Sequence, residues 1–211
     1  MYEREVELNL NKHLLTFKEN ISWLTLALSF FLGSVFLTYF TLSQEPELFA
    51  MLEQAMLPLL KELSEQVFGG HPLQGAVILF IHNLTASLQV ILFGLFLGIP
   101  ALLSSVANGA ILGALAFQLG QQEVSLLPLL LAGILPHGIL ELPAFLLSAA
   151  FGLKLGYHIV FPLPGNSRLE SIGKIFREIG NALPLIIVFL ALAALLEVFV
   201  TPTILLYFTR Q

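Results

Sequence analysis

His137 and Glu141 lie in the run Pro136-His-Gly-Ile-Leu-Glu-Leu-Pro143, inside one of the most apolar regions of the chain. Four residues apart, they share one face of a helix. Imidazole nitrogen and carboxylate oxygen are ligands that suit zinc or a similar divalent metal. The same pair also suits a proton path, or a hydrogen bond that ties helices together. His82 with Asn83, Asn108 and Glu197 occupy three further apolar stretches. A polar group at membrane depth commonly costs a few kcal/mol and faces a protein interior or an aqueous cavity. The elements that carry these residues must therefore bring them together.

Composition says what those elements are. Of 211 residues, 57% are hydrophobic and 11% charged, against about 25% charged in a soluble domain. The expectation is an all-α, polytopic membrane bundle with five spans. A formal net charge of -5 without a basic block argues against nucleic acid as a partner. The chain has no cysteine, which excludes disulfides and thiolate metal sites. The polar start contains no short apolar stretch leading to a cleavage site, so no cleavable leader is expected.

Residues 1–19 read as a cytoplasmic amphipathic N-terminal segment, and 20–211 as the membrane domain. Hydropathy places spans at about 21–41, 73–97, 100–119, 126–156 and 183–207. An outer amphipathic segment covers 44–70, and an inner one covers 162–181 with its helix at 168–179. Gly98-Ile99-Pro100 separates the second span from the third. The apolar run that begins at Leu126 would reach about 50 Å as one helix, against a hydrocarbon core of about 30 Å. Pro136 and Pro143 should therefore kink or break it, or a half-helix re-enters the membrane. Arg4, Lys12 and Lys18, together with Lys154, Arg168, Lys174 and Arg177, outnumber Lys61 on the opposite side. The positive-inside rule then puts the N-terminus in the cytoplasm of a multi-pass cell-membrane protein.

At 1.5 Å per residue, His82, Asn108, His137 and Glu197 all fall about 13–21 Å from a membrane face. The result is a predicted polar layer of His82, Asn83, Asn108, His137, Glu141 and Glu197. Three readings remain open for it. His82, His137 and Glu141 could ligate a metal, with Glu197 as a further ligand or support. The carboxylates could titrate in a proton or ion path. The groups could also simply hydrogen-bond one another and hold the bundle together. No HExxH motif and no nucleophile–base set marks an enzyme. His13, His71 and His158 sit where they should be merely solvated. Three GxxxG pairs, Gly94/Gly98, Gly109/Gly113 and Gly152/Gly156, let helices approach closely, within the chain or in a homodimer.

The block Pro136-His-Gly-Ile-Leu-Glu-Leu-Pro-Ala144, followed by Gly152-Leu-Lys-Leu-Gly156, resembles the stage II sporulation protein M family of integral membrane proteins. Asn108-Gly109 with Gly113, and the His82-Asn83 pair, fit the same pattern, and the resemblance covers about residues 20–208. It implies five spans and a non-enzymatic scaffold, because the family's namesake holds peptidoglycan-degrading partners in the membrane during engulfment. The expected function is thus a scaffold or interaction partner of other membrane proteins. The alternative is an intramembrane metal protein, a transporter or a metal-dependent hydrolase.

Overall fold

The computed structural model describes residues 18–121 and 135–204. The expected N-terminal amphipathic helix, the polar loop after Gln121, the first part of the fourth span and residues 205–207 lie outside the described residues. Six helices follow in order: α1 (Ile21–Gln44), α2 (Pro46–Phe68), α3 (Pro72–Phe93), α4 (Ile99–Gly120), α5 (Leu135–Val160) and α6 (Arg168–Leu195). All but α2 are long and apolar enough to cross a membrane. The protein is an all-helical, polytopic bundle.

The fifth helix is its axis. Every residue of α5 from Leu146 to Gly156 is buried. A helix apolar on all faces has to be enclosed by others, and here α1, α3, α4 and α6 pack around it. One core layer joins Leu147, Phe151 and Leu155 of α5 to Ile175, Ile179 and Ile186 of α6. A second joins Ala149 and Leu153 to Ala27 and Phe31 of α1 and Ala101 of α4.

The six GxxxG glycines pack inside the chain. A Cβ on Gly109 would strike the carbonyl of Phe31, and one on Gly113 would lie 2.5 Å from the carbonyl of Val35. The α1–α4 crossing is therefore backbone against backbone, and Ser34 Oγ donates to the Val106 carbonyl across it at 2.6 Å. Gly94 and Gly98 meet Gly152 and Gly156 in the same manner, pair against pair. Between Gly94 and Gly98 the chain turns from α3 into α4. Leu97 (φ 57°) and Gly98 (φ 73°) both lie in the left-handed region, which glycine adopts freely and leucine only at a cost.

The inner amphipathic helix and the last span, separate in the sequence reading, form one continuous helical run from Arg168 to Ile204. Its 37 residues would extend about 55 Å, so the polar first turns project beyond a core of about 30 Å. Ser167 starts it with a capping box: the Glu170 N–H donates to Ser167 Oγ at 3.3 Å, and the Ser167 N–H donates to Glu170 Oε2 at 2.7 Å. Near the far end the run contains one π-helical turn, Leu196–Val200.

Lys154 is the one buried lysine among the described residues, and it lies on the axial helix at 6% exposure. Its Nζ donates to Asn20 Oδ1 at 2.8 Å and pairs with the Glu178 carboxylate, to which Asn20 Nδ2 also donates at 3.3 Å. The triangle fastens the start of α1 and the amphipathic part of α6 to α5. Trp23 stacks beside it on Tyr157 and His158. His158 Nδ1 also bonds the Phe161 carbonyl at 2.8 Å, and His71 Nδ1 caps α3 by accepting from the Leu73 N–H. Neither histidine is merely solvated.

At the opposite end α2 lies against several helices. Phe49, near its start, stacks on Phe117 of α4. Val67, near its end, packs with Ala76 and Leu79 of α3 and with Ala194 and Val198.

Candidate functional site

Away from the lysine end, His137, Glu141 and Glu197 come together. One ligand-type atom from each lies within 4.8 Å of the other two, and all three residues are half-buried. Helical spacing puts Glu141 one turn beyond His137 on α5. Glu197 comes from the π-helical turn, which inserts an extra residue into the ladder and re-aims the side chains around it; such turns concentrate at functional sites.

The hydrogen bonds around His137 define its role. Its Nδ1 lies 3.4 Å from Thr201 Oγ1, and that hydroxyl donates its single proton to the Leu196 carbonyl at 3.3 Å. With the hydroxyl proton so placed, Thr201 accepts from Nδ1–H; in the other tautomer the roles reverse. With the proton on Nδ1, the lone pair of the neutral ring falls on Nε2, which faces Glu197 Oε2 at 3.9 Å. In that tautomer, with the ring neutral and the carboxyl ionised, two acceptors face one another. A proton or a cation placed there removes the conflict.

Zinc bonds of about 2.0–2.2 Å set tetrahedral ligands about 3.4 Å apart. Side-chain rotations of about 1 Å would draw the three residues onto such an ion. One histidine and two carboxylates leave a fourth position open, as in catalytic rather than structural zinc sites. Thr201 occupies the supporting position that orients a ligating imidazole through its other nitrogen.

The other polar side chains lie nearby but do not join this group. His82, Asn83 and Asn108 line a cavity of about 1080 Å³ that His137 and Glu141 also border. His82 is exposed within it, and Asn108 Nδ2 donates to the Ser104 carbonyl of its own helix at 2.9 Å. Of the metal ligands expected from sequence, His137 and Glu141 are in the cluster, with Glu197 in the place expected of His82.

Heights along the bundle differ as well. Counted from Lys154, Glu141 lies about 20 Å and His137 about 26 Å up α5, while Glu197 lies about 28 Å beyond Glu178 on α6. His82 and Asn108 are both about 15 Å from the starts of their helices. His82, Asn83, Asn108, His137 and Glu141 all border that one cavity. Pro136 stands in the first turn of the described part of α5, where its missing N–H is harmless, and Pro143 lies inside the helix.

Thr201, Glu178 and Asn20 were not among the residues singled out from sequence, and Lys154 was singled out only as a charge that sets orientation. A buried lysine flanked by Gly152 and Gly156 was the available signal for the triangle. Nothing in the sequence marks the π-helical turn that sets Thr201.

Comparison with known proteins agrees with this architecture. An uncharacterized protein of Methanocaldococcus jannaschii is 29% identical over 128 residues, which is 59% of this chain and 71% of that protein. No solved structure matches. Residues 26–202 match the model of the family described as Stage II sporulation protein M. With the glycine crossings and the Pro136–Ala144 block inside that match, the chain belongs to the Stage II sporulation protein M family.

Proposed function

We propose that this integral membrane protein binds a divalent cation between its helices, at His137, Glu141 and Glu197, and that its activity depends on that ion. The observation that carries the reading is the unresolved facing of His137 Nε2 and Glu197 Oε2, held from behind by Thr201. Two carboxylates gathered beside an imidazole at membrane depth repel each other, and a divalent ion turns that repulsion into attraction. When bound, the ion would supply a Lewis acid with one open position. The protein's own groups would fix the imidazole tautomer and keep the site beside a cavity.

Elemental analysis of tag-free protein, purified after growth with ample zinc, tests this. Near-stoichiometric metal in the wild type, lost in both His137→Ala and Glu197→Gln with melting unchanged, is the expected result. A metal-free wild type, or retention in both variants, refutes it.

A second reading, recruitment of other membrane proteins, rests on apolar side chains that the bundle leaves exposed on its amphipathic helices. Met51 is 68% and Phe68 50% exposed on α2, and Leu169 is 80% exposed on α6. Met51→Glu and Leu169→Glu would abolish partner capture while leaving metal content unchanged. In both readings the lysine end faces the cytoplasm, following the positive charge. The chain lacks cysteine, so Ser167→Cys and Gln44→Cys report orientation directly. Only the Gln44 variant should react with an impermeant maleimide in intact cells.

A further inference from the structure

The cavity beside the cation cluster has walls of an unusual kind. On α3 its lining follows one helical stripe, His82, Ala86, Gln89 and Phe93; on α4 the matching stripe is Pro100, Ser104, Asn108 and Ile111. On α4 the polar Ser104 and Asn108 stand between carbon ends; on α3 the polar His82 heads the stripe and Gln89 stands within it. Along α3, all four of those residues are exposed. They cover about 16 Å of helix, so among the described residues the cavity opens sideways over that length, where a membrane protein meets hydrocarbon.

His82, Asn83 and Gln89 make no hydrogen bond to any described residue, and Asn108 spends its amide on its own helix. Lipid tails supply neither donors nor acceptors, and unsatisfied polar groups at that depth are costly. An occupant must therefore bring polar atoms to His82, Asn83, Gln89 and Asn108. Water alone would have to wet Phe93, Ile111, Leu112 and Phe145 as well. A bare ion would have no reason for an opening on the hydrocarbon side.

We infer that the cavity is a laterally open site for the headgroup of a membrane amphiphile. Its hydrogen-bonding groups meet His82, Asn83, Gln89 and Asn108, and its chains stay in the surrounding bilayer. His137 and Glu141 close one end of the same cavity, so a bound headgroup lies beside the cation cluster. The inference does not require a metal there: the unpaired His82, Asn83 and Gln89 of α3, facing Asn108 of α4, carry it alone.

The test uses full-length protein in vesicles of phosphatidylglycerol and phosphatidylethanolamine, doped with a phosphatidylglycerol that carries a diazirine at its headgroup. Photolysis followed by peptide mapping should label α3 and α4 around Ala86 and Asn108. Replacing both His82 and Asn108 by Leu removes hydrogen bonds worth about 1 kcal/mol each, and labelling should fall about five- to thirtyfold. The discriminating feature is the sign. A tail that merely fills a gap would favour the more apolar wall, so equal or greater labelling in that variant overturns the inference. Ala86→Trp, at an exposed position, blocks the cavity without burdening the core and should also abolish labelling. A second copy of the chain over the opening would give no lipid adduct and an Ala86→Cys disulfide between copies, which likewise overturns it.

Discussion

The Lys154 triangle yields the sharpest prediction. Breaking a buried ion pair by neutralising one partner costs about 3–5 kcal/mol, whereas replacing both with apolar residues is often neutral or stabilising. Lys154 is almost wholly enclosed, with 8% of its side chain exposed, while Glu178 retains 26%. The two single variants should therefore be unequal. Glu178→Gln strands the ammonium on the axial helix with only neutral oxygens around it, a loss of about 3 kcal/mol. Lys154→Met leaves a carboxylate that water reaches and that still accepts from Asn20 Nδ2, a loss of about 1 kcal/mol. The double variant Lys154→Met/Glu178→Leu should return to within about 1 kcal/mol of wild type. The assay is thermal unfolding in detergent, followed by the fluorescence of Trp23, the only tryptophan, which stacks on Tyr157 at a 5.4 Å centroid distance. For a chain of this size 1 kcal/mol corresponds to about 2–4 °C. Glu178→Gln should then melt about 6–12 °C low, and the double variant within about 4 °C of wild type. Equal losses in the two single variants, or a double variant as unstable as Glu178→Gln, would refute the reasoning.

Two further predictions follow from the backbone. Gly109→Val sets a branched side chain against the Phe31 carbonyl at the α1–α4 crossing, and overpacking there should cost about 1–3 kcal/mol or more. Gly33→Ala on α1 meets nothing within 4 Å and should be neutral, or stabilising by up to about 1 kcal/mol through helix propensity; paired melts in detergent separate the two cases. Deleting Val200 from the π-helical turn removes the extra residue and restores an ordinary helix. The melting temperature should hold or rise, while metal content falls because Glu197 and Thr201 lose their aim. A deletion that leaves metal content intact would show that the turn plays no part in the site.

The spans were legible because hydrocarbon imposes a length and a composition that a sequence cannot disguise. Gly109/Gly113 and the two facing pairs were legible as close approaches for a related reason: only glycine lets backbones touch. Their partners were not, since Phe31 and Val35 carry no mark of being crossed. Lys154 was read as a charge that sets orientation. Its partners are 24 and 134 positions away, and only the packing of α1 and α6 on α5 brings them near. Depth for His137 and Glu197 was counted from assumed span starts. With α6 running unbroken from Arg168, the proper origin for Glu197 is the Lys154–Glu178 tie, well before residue 183.

The two polar clusters of the bundle differ in a way that bears on function. At the lysine end charge meets charge, the amide between them bonds to both, and three helices are fastened by groups that satisfy one another. A buried network with that degree of closure rigidifies and needs no further occupant. At the other end an imidazole and two carboxylates gather just as closely, yet the contacts among them place acceptor against acceptor, on a helical turn that regular geometry would not choose. Both ends pay for bringing polar groups into a membrane, but only the first recovers that cost from its own residues. Folding alone accounts for the first cluster. In the proposed reading a proton or a cation balances the second, and that imbalance, next to the cavity that His137 and Glu141 border, is the physical reason to look for this protein's activity there.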